Sequence, residues 1–238
     1  MIRRLLVLLC LPLLGWTAES LAATPLQLAQ LHACRATSSL LMYRFEGFQD
    51  VHAGRLEQDL AALAAALQAN PQSSDALRQQ QQALTELLRA GSRFGHHEDD
   101  LPWNYATELS EALRVFLSSA HQLDNNQAAP IEVEAEYLAV QYLYRAYVGL
   151  FEISREQQQL TYVGQDERQL LPSIDGQLQR LAGKHATAVQ ARWPFLRNAL
   201  ADMNSASGGT VTLSHRPFAP LIVDRQVRQF SSQLLAAD

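Results

Sequence analysis

His96, His97, Glu98, Asp99 and Asp100 stand side by side in GHHEDDLPWNY, residues 95–105. Imidazole nitrogens and carboxylate oxygens are ligands that zinc takes, four in a structural site or three plus water in a catalytic one. His96, His97 and Asp100 are therefore the candidate metal ligands, for zinc or another transition metal. Their spacing works against them, because adjacent residues point in different directions and a rigid site needs helix or turn spacing. The competing expectation is a polar corner between two helices. In that corner Asp99 and Asp100 precede a helix start at Pro102-Trp103 and complement its dipole, while Trp103 folds back as a hydrophobic anchor.

A second constellation is Tyr137, Gln141, Tyr144, Arg145 and Tyr147 on one apolar segment, with Arg192 and Trp193 on a later one. Aromatic rings around an arginine would suit a small carboxylate or aromatic ligand, since a guanidinium grips a carboxylate through two parallel hydrogen bonds. The plainer reading makes the tyrosines amphipathic core residues whose hydroxyls reach the bundle surface.

Gly95-x-His97-x-x-Asp100 resembles the GxHxxE motif of imelysin-like periplasmic proteins. It carries Asp where that motif has Glu, and Leu101-Pro102 follow where that family continues in helix. The likeness spans six residues and assigns no family.

Other chemistry finds no motif. The chain has no Cys-x-x-Cys-His, no Glu-x-x-His, no His-Glu-x-x-His and no EF-hand loop. His52, His121 and His185 stand alone on helical segments. No Gly-x-Ser-x-Gly elbow occurs. Cys34 and His32 are two apart, which puts them on different sides of a helix. Glu132, Glu134 and Glu136 alternate at a helix start, where they are expected to keep that end soluble and to favour its dipole. Gly208-Gly209 has no lysine beside it for phosphate. No catalytic residue and no cofactor is assigned.

The elements that must position these residues read as helices. Apolar residues recur at three and four in almost every segment. The stripe Leu28, Leu31, Cys34, Ser38, Leu41, Phe45, Phe48 resumes at Leu56, Leu60, Leu63, Leu67. Gly47 and Gly54 between them allow one kinked helix or two. Asn70-Pro71 ends the run, and Ser74 or Asp75 caps the next. A third helix is expected near 103–121, and a fourth over 131–162. The fourth is apolar round most of its circumference, as a central helix must be. A fifth runs from the Asp166 cap to Met203, with Pro172 in its first turn and Pro194 bending its middle. Val211 and Leu213 alternate with threonines as a short extended piece, and Pro220 opens the last helix. The fold class is all-α: an elongated antiparallel bundle of about six or seven helices with little or no sheet.

MIRRLLVLLCLPLLGWTAESLAATP reads as a signal peptide over 1–23: two arginines, a dozen apolar residues, then small residues at a cut site. That run is too short to span a bilayer, so no transmembrane segment is expected after cleavage. Residues 24–238 form a single all-helical domain. Without Arg3, Arg4 and Glu19, 17 basic side chains face 23 acidic ones, a formal charge of −6. That balance excludes nucleic acid, which needs a basic surface. Cys10 leaves with the leader, and Cys34 is expected to be a buried small hydrophobe. The chain reads as a non-enzymatic binding or adaptor/sensor-like module of the bacterial envelope, periplasmic or secreted. Its expected partner is another envelope protein, with self-association a further route. The alternative is a small-ligand or metal-binding periplasmic protein.

Overall fold

The computed structural model describes residues 23–70, 73–124, 129–149, 162–182, 184–205 and 211–236, apart from the side chains of Glu98, Lys184 and His185. Residues 1–22 of the expected leader lie outside these residues. The described helices are α1 (Pro25–Phe45), α2 (Asp50–Ala69), α3 (Asp75–Arg93), α4 (Tyr105–Leu123), α5 (Ile131–Tyr147), α6 (Glu167–Arg180), α7 (Lys184–Ala201) and α8 (Pro220–Leu235), with no strand among the described residues. The all-α bundle is as expected, with one or two more helices than six or seven. None of the described helices is long and apolar enough to cross a membrane.

Local chemistry sets the boundaries. Thr24 Oγ1 accepts from the Gln27 amide at 3.2 Å while Gln27 Oε1 accepts from the Thr24 amide at 2.9 Å. This reciprocal cap, with Pro25 in the first turn, starts α1. At its far end Gly47 takes φ +84° and the Phe48 amide reaches back to the Tyr43 carbonyl at 2.8 Å. That is a left-handed helix stop, which glycine supplies without strain, and it settles the open question of 25–69 in favour of two helices. Gly149, at φ +88°, ends α5 in the same manner. The fourth helix thus stops at Tyr147 and not near 162, and residues 150–161, including Phe151, lie outside the description.

The expected fifth helix is two, α6 and α7, because Leu181 turns extended (ψ 133°). Pro172 sits in the second turn of α6 and Pro194 lies inside α7. Both rings are exposed, so the carbonyl each deprives of a donor lies on the watered face. The stretch around Val211 and Leu213 is a turn and not an extended piece. Thr212 Oγ1 donates to the Arg216 carbonyl at 2.8 Å and accepts its amide at 3.0 Å.

Two helices are central. α5 is buried at every residue from Ile131 to Arg145, as its apolar circumference required, and α1 is buried nearly as fully. They run parallel, since Arg35 meets Glu136 and Glu46 meets Tyr147 at the same offset. α8 runs against α5, pairing Ser231 with Glu136 and Ala219 with Tyr142. α2, α3 and α4 surround α1, while α6, α7 and α8 surround α5. One continuous core joins both halves, and Cys34 is buried within it as a free thiol. The 46–49 joint, the 94–104 corner, the end of α5 and the described parts of the 202–219 connection (202–205 and 211–219) share one end of the bundle. Ring stacks of Phe48 on His96 and Phe45 on Tyr147 tie the first three together, and the Arg145–Asn204 bond brings the fourth alongside.

Candidate functional site

The 94–104 corner is built from backbone outward. Asp100 Oδ2 accepts the His97 amide at 2.9 Å and lies where any side chain on Gly95 would clash, 2.1 Å from an added Cβ. Arg44 donates to the carbonyls of Gly91, Phe94 and Gly95 at 2.8, 3.3 and 3.0 Å. The His96 ring stacks on Phe48, centroids 3.8 Å apart. His96, His97 and Asp100 are therefore engaged separately: a ring stack, an amide and a turn carboxylate. Among the described residues no three His, Cys, Asp or Glu side chains are grouped to hold an ion.

Trp103 departs from expectation. It is 95% exposed, and the anchor is Tyr105, the first residue of α4. The Tyr105 hydroxyl donates to the Leu87 carbonyl at 2.8 Å and presses on Gly91, where an added Cβ would meet it at 2.0 Å. Only glycine permits that approach.

The α5 constellation is distributed round its helix. Tyr137 accepts the Gly164 amide at 3.1 Å, and Gln141 donates to the Gln165 carbonyl at 2.8 Å, so both face the start of α6. Arg145 donates to the Asn204 carbonyl at 2.7 Å, with Glu167 close enough to favour its charge against burial, which lowers its pKa. Tyr144 turns to the Ala106 carbonyl of α4, and Tyr147 to Glu46 of α1. Arg192 and Trp193 sit apart on α7, bonded to Gln229 and Asp175. The hydroxyls of Tyr137, Tyr144 and Tyr147 do find partners, but one each on the 162–166 turn before α6, on α4 and on α1.

What sequence reasoning missed is an ionic network through the waist. Arg35 Nε donates to Glu136 Oε1 at 2.7 Å and its Nη2 to Ser231 Oγ at 2.7 Å. Ser231 in turn donates to Glu136. Arg228 donates to Asp59 at 3.0 Å, Asp224 at 3.1 Å, the Arg35 carbonyl and Ser39. Arg55 lies 3.6 Å from Asp224. Three guanidiniums thus face three carboxylates. Burial opposes the Arg228 charge, but Asp224, Asp59 and Glu136 together hold its pKa above the usual value. Burial and Arg35 push His32 down, and burial and Arg55 push His52 down. The signal available in the sequence was Asp224-x-x-x-Arg228, a helical ion-pair spacing; its partners lie far along the chain.

Glu132, Glu134 and Glu136 do not solvate a helix start; all three are buried. Among the described residues Glu134 makes no ion pair. Ser173 donates to it at 3.0 Å and Gln177 at 3.1 Å. Burial pushes its pKa up to about 7, the Ser173 bond opposing. Burial, then Glu136, raises the Cys34 thiol, which leaves it in the unreactive form.

Fold and site together describe an all-helical bundle, its two central helices parallel, whose internal ions brace one helix on another. No protein-family model matches the chain, and neither the curated proteins nor the solved structures contain a significant match.

Proposed function

We propose that the chain is an exported, non-enzymatic helical bundle that binds another protein of the bacterial envelope. The observation that carries this reading is the placement of exposed large apolar side chains. Phe45, Val51, Trp103 and Val148 stand at the end of the bundle that holds the joint and the corner, as do Leu221 and Ile222 at the start of α8. Scattered exposed apolar residues need no explanation, but a collected set marks an interaction site. The waist charges, by contrast, are held by one another and have the character of braces. Export is proposed from the leader pattern at 1–23.

The small-ligand alternative has less to draw on. The cleft beside Tyr144 measures about 20 Å³, against roughly 300 Å³ or more for a typical ligand pocket. Thermal shift with zinc, copper, iron and a metabolite panel tests it: no shift is expected, and a dose-dependent rise of several degrees would favour it.

The main test is quantitative capture with the tagged mature protein from envelope extracts, alongside fractionation of cells making the full chain. Expected are one enriched envelope protein and a processed N-terminus near residue 24. Monomeric protein with nothing enriched, or full-length chain retained in the cytoplasm, would remove the proposal.

A further inference from the structure

The end of the bundle that carries Trp103 has a charge pattern unlike that of the waist. In the waist and along α6, the carboxylates of Asp59, Glu136, Asp224, Asp166 and Asp175 each meet an arginine. Around the corner, Asp50, Asp99, Asp100 and Glu108 are exposed, and among the described residues none makes an ion pair. The guanidinium of Arg44 feels the charge of Asp100 but directs its N–H groups at three backbone carbonyls, and Arg93, the last residue of α3, is exposed with no ion pair among the described residues, so carboxylates outnumber guanidiniums at this corner. Beside these carboxylates stand Trp103, 95% exposed, and Phe45, 40% exposed. Beside Phe45 a small cleft is lined by Leu40, Leu101, Tyr105, Tyr144 and Val148, with Arg44 also at its wall.

From this juxtaposition of unpaired carboxylates and exposed rings, we propose that this end docks a basic segment of a partner protein that bears large apolar side chains, with Trp103 as the anchor. The inference rests on the binding-module reading and gives that reading a surface and a partner chemistry. Charge selects the occupant. A second copy docked end to end would bring Asp50, Asp99 and Glu108 against their own counterparts, and like charges in an interface are costly. An anionic lipid surface is repelled for the same reason. A cationic segment gains from every one of these carboxylates, and a nearby apolar side chain covers Trp103. Trp is among the residues that carry most of the energy where they become buried in an interface.

The test places a benzophenone amino acid at position 103 of the full chain and, separately, at Phe195, an exposed residue on α7, a helix that packs on α5, α6 and α8 and not on α3 or α4. Irradiation of the producing cells is followed by identification of the cross-linked peptide. Position 103 is expected to capture an Arg- or Lys-rich segment with large apolar residues. That segment, made as a synthetic peptide, should bind the purified protein, and Trp103→Ala should weaken binding at least about tenfold. Asp99→Asn with Glu108→Gln, or roughly 1 M salt, should weaken it several-fold through lost charge attraction. Cross-links from 103 to an acidic segment, to lipid or to a second copy would overturn the proposal, as would equal binding by Trp103→Ala. Cross-links from 195 alone would overturn this surface and leave the binding-module reading standing. None from either position would remove both.

Discussion

The waist of the bundle and its Trp103 end treat the same residue types in opposite ways. In the waist, Arg228 is held by Asp59, Asp224, Ser39 and the Arg35 carbonyl. At the Trp103 end, carboxylates stand without ion pairs next to an aromatic ring in water. A buried charge must be matched where it lies, because removing it from water is expensive. An exposed carboxylate has no such need and remains free for something else. Many strong interactions therefore identify the waist as architecture. Incomplete coverage is what the proposed docking at the Trp103 end rests on.

The sharpest way to break that contrast is to cut the waist. Arg228→Ala leaves Asp59 and Asp224 buried without their main cation. The expected loss is about 3–5 kcal/mol, the usual cost of removing one partner of a buried pair, measured by urea or guanidinium unfolding. Arg228→Lys should lose less, keeping the charge but not the fork of donors. A loss for Arg228→Ala below about 1 kcal/mol would mean that the waist ions are as dispensable as surface pairs.

The second effect is a pH dependence. Glu134 has a folded pKa near 7, above its ordinary value, because of burial. The folded state thus binds its proton more tightly than the unfolded chain. Its contribution is fully present in acid below the ordinary carboxyl range and is lost as pH rises through about 7. His32 and His52 act in the opposite sense, since their pKa values are lowered in the fold. The difference between wild type and Glu134→Gln isolates the carboxyl. Between pH 4 and 8, wild type should lose up to about 3 kcal/mol that Glu134→Gln does not lose. Parallel stability curves would show Glu134 to be solvated.

A third probe sits where the corner is built on the body. Gly91→Ala sets a Cβ 2.0 Å from the Tyr105 hydroxyl and 2.8 Å from Leu40. Overpacking of this kind costs about 1–3 kcal/mol, which exceeds the gain of up to about 1 kcal/mol from replacing glycine within a helix. A raised melting temperature would mean that Tyr105 moves away at little cost.

These three sites differ in how legible they were. Helical periodicity alone predicted the all-α bundle and the centrality of α5, because local burial leaves a local pattern. The α6–α7 break was hidden because the apolar stripe continues in phase from Leu178 through Leu181 toward Val189, while the backbone turns extended at Leu181. The waist network was hidden for another reason: Arg35 and Ser231 are 196 positions apart, and no window of sequence shows both. The α5 constellation failed as a single site because spacing along a helix gives a direction for each side chain, not the neighbour that will meet it. Tyr144 and Arg145 are adjacent in sequence and face α4 and the 202–219 connection respectively.

Trp103 and Tyr105 bring the same problem down to two positions and give the smallest expected effect on stability. Both are aromatic, both belong to the corner, and nothing local in the sequence ranks one as the anchor. The structure buries Tyr105 and leaves Trp103 in water. Trp103→Ala should therefore change unfolding free energy by no more than about 0.5 kcal/mol, as for a surface position away from caps and core. Trp193, buried against Phe230 with its Nε1 bonded to Asp175 at 2.6 Å, supplies the internal reference. In the mature protein, acrylamide should quench the emission that Trp103→Ala removes and spare most of what remains. A stability loss of 2 kcal/mol or more, on the order of a buried aromatic's truncation, would place Trp103 in the core and erase the contrast between the two regions.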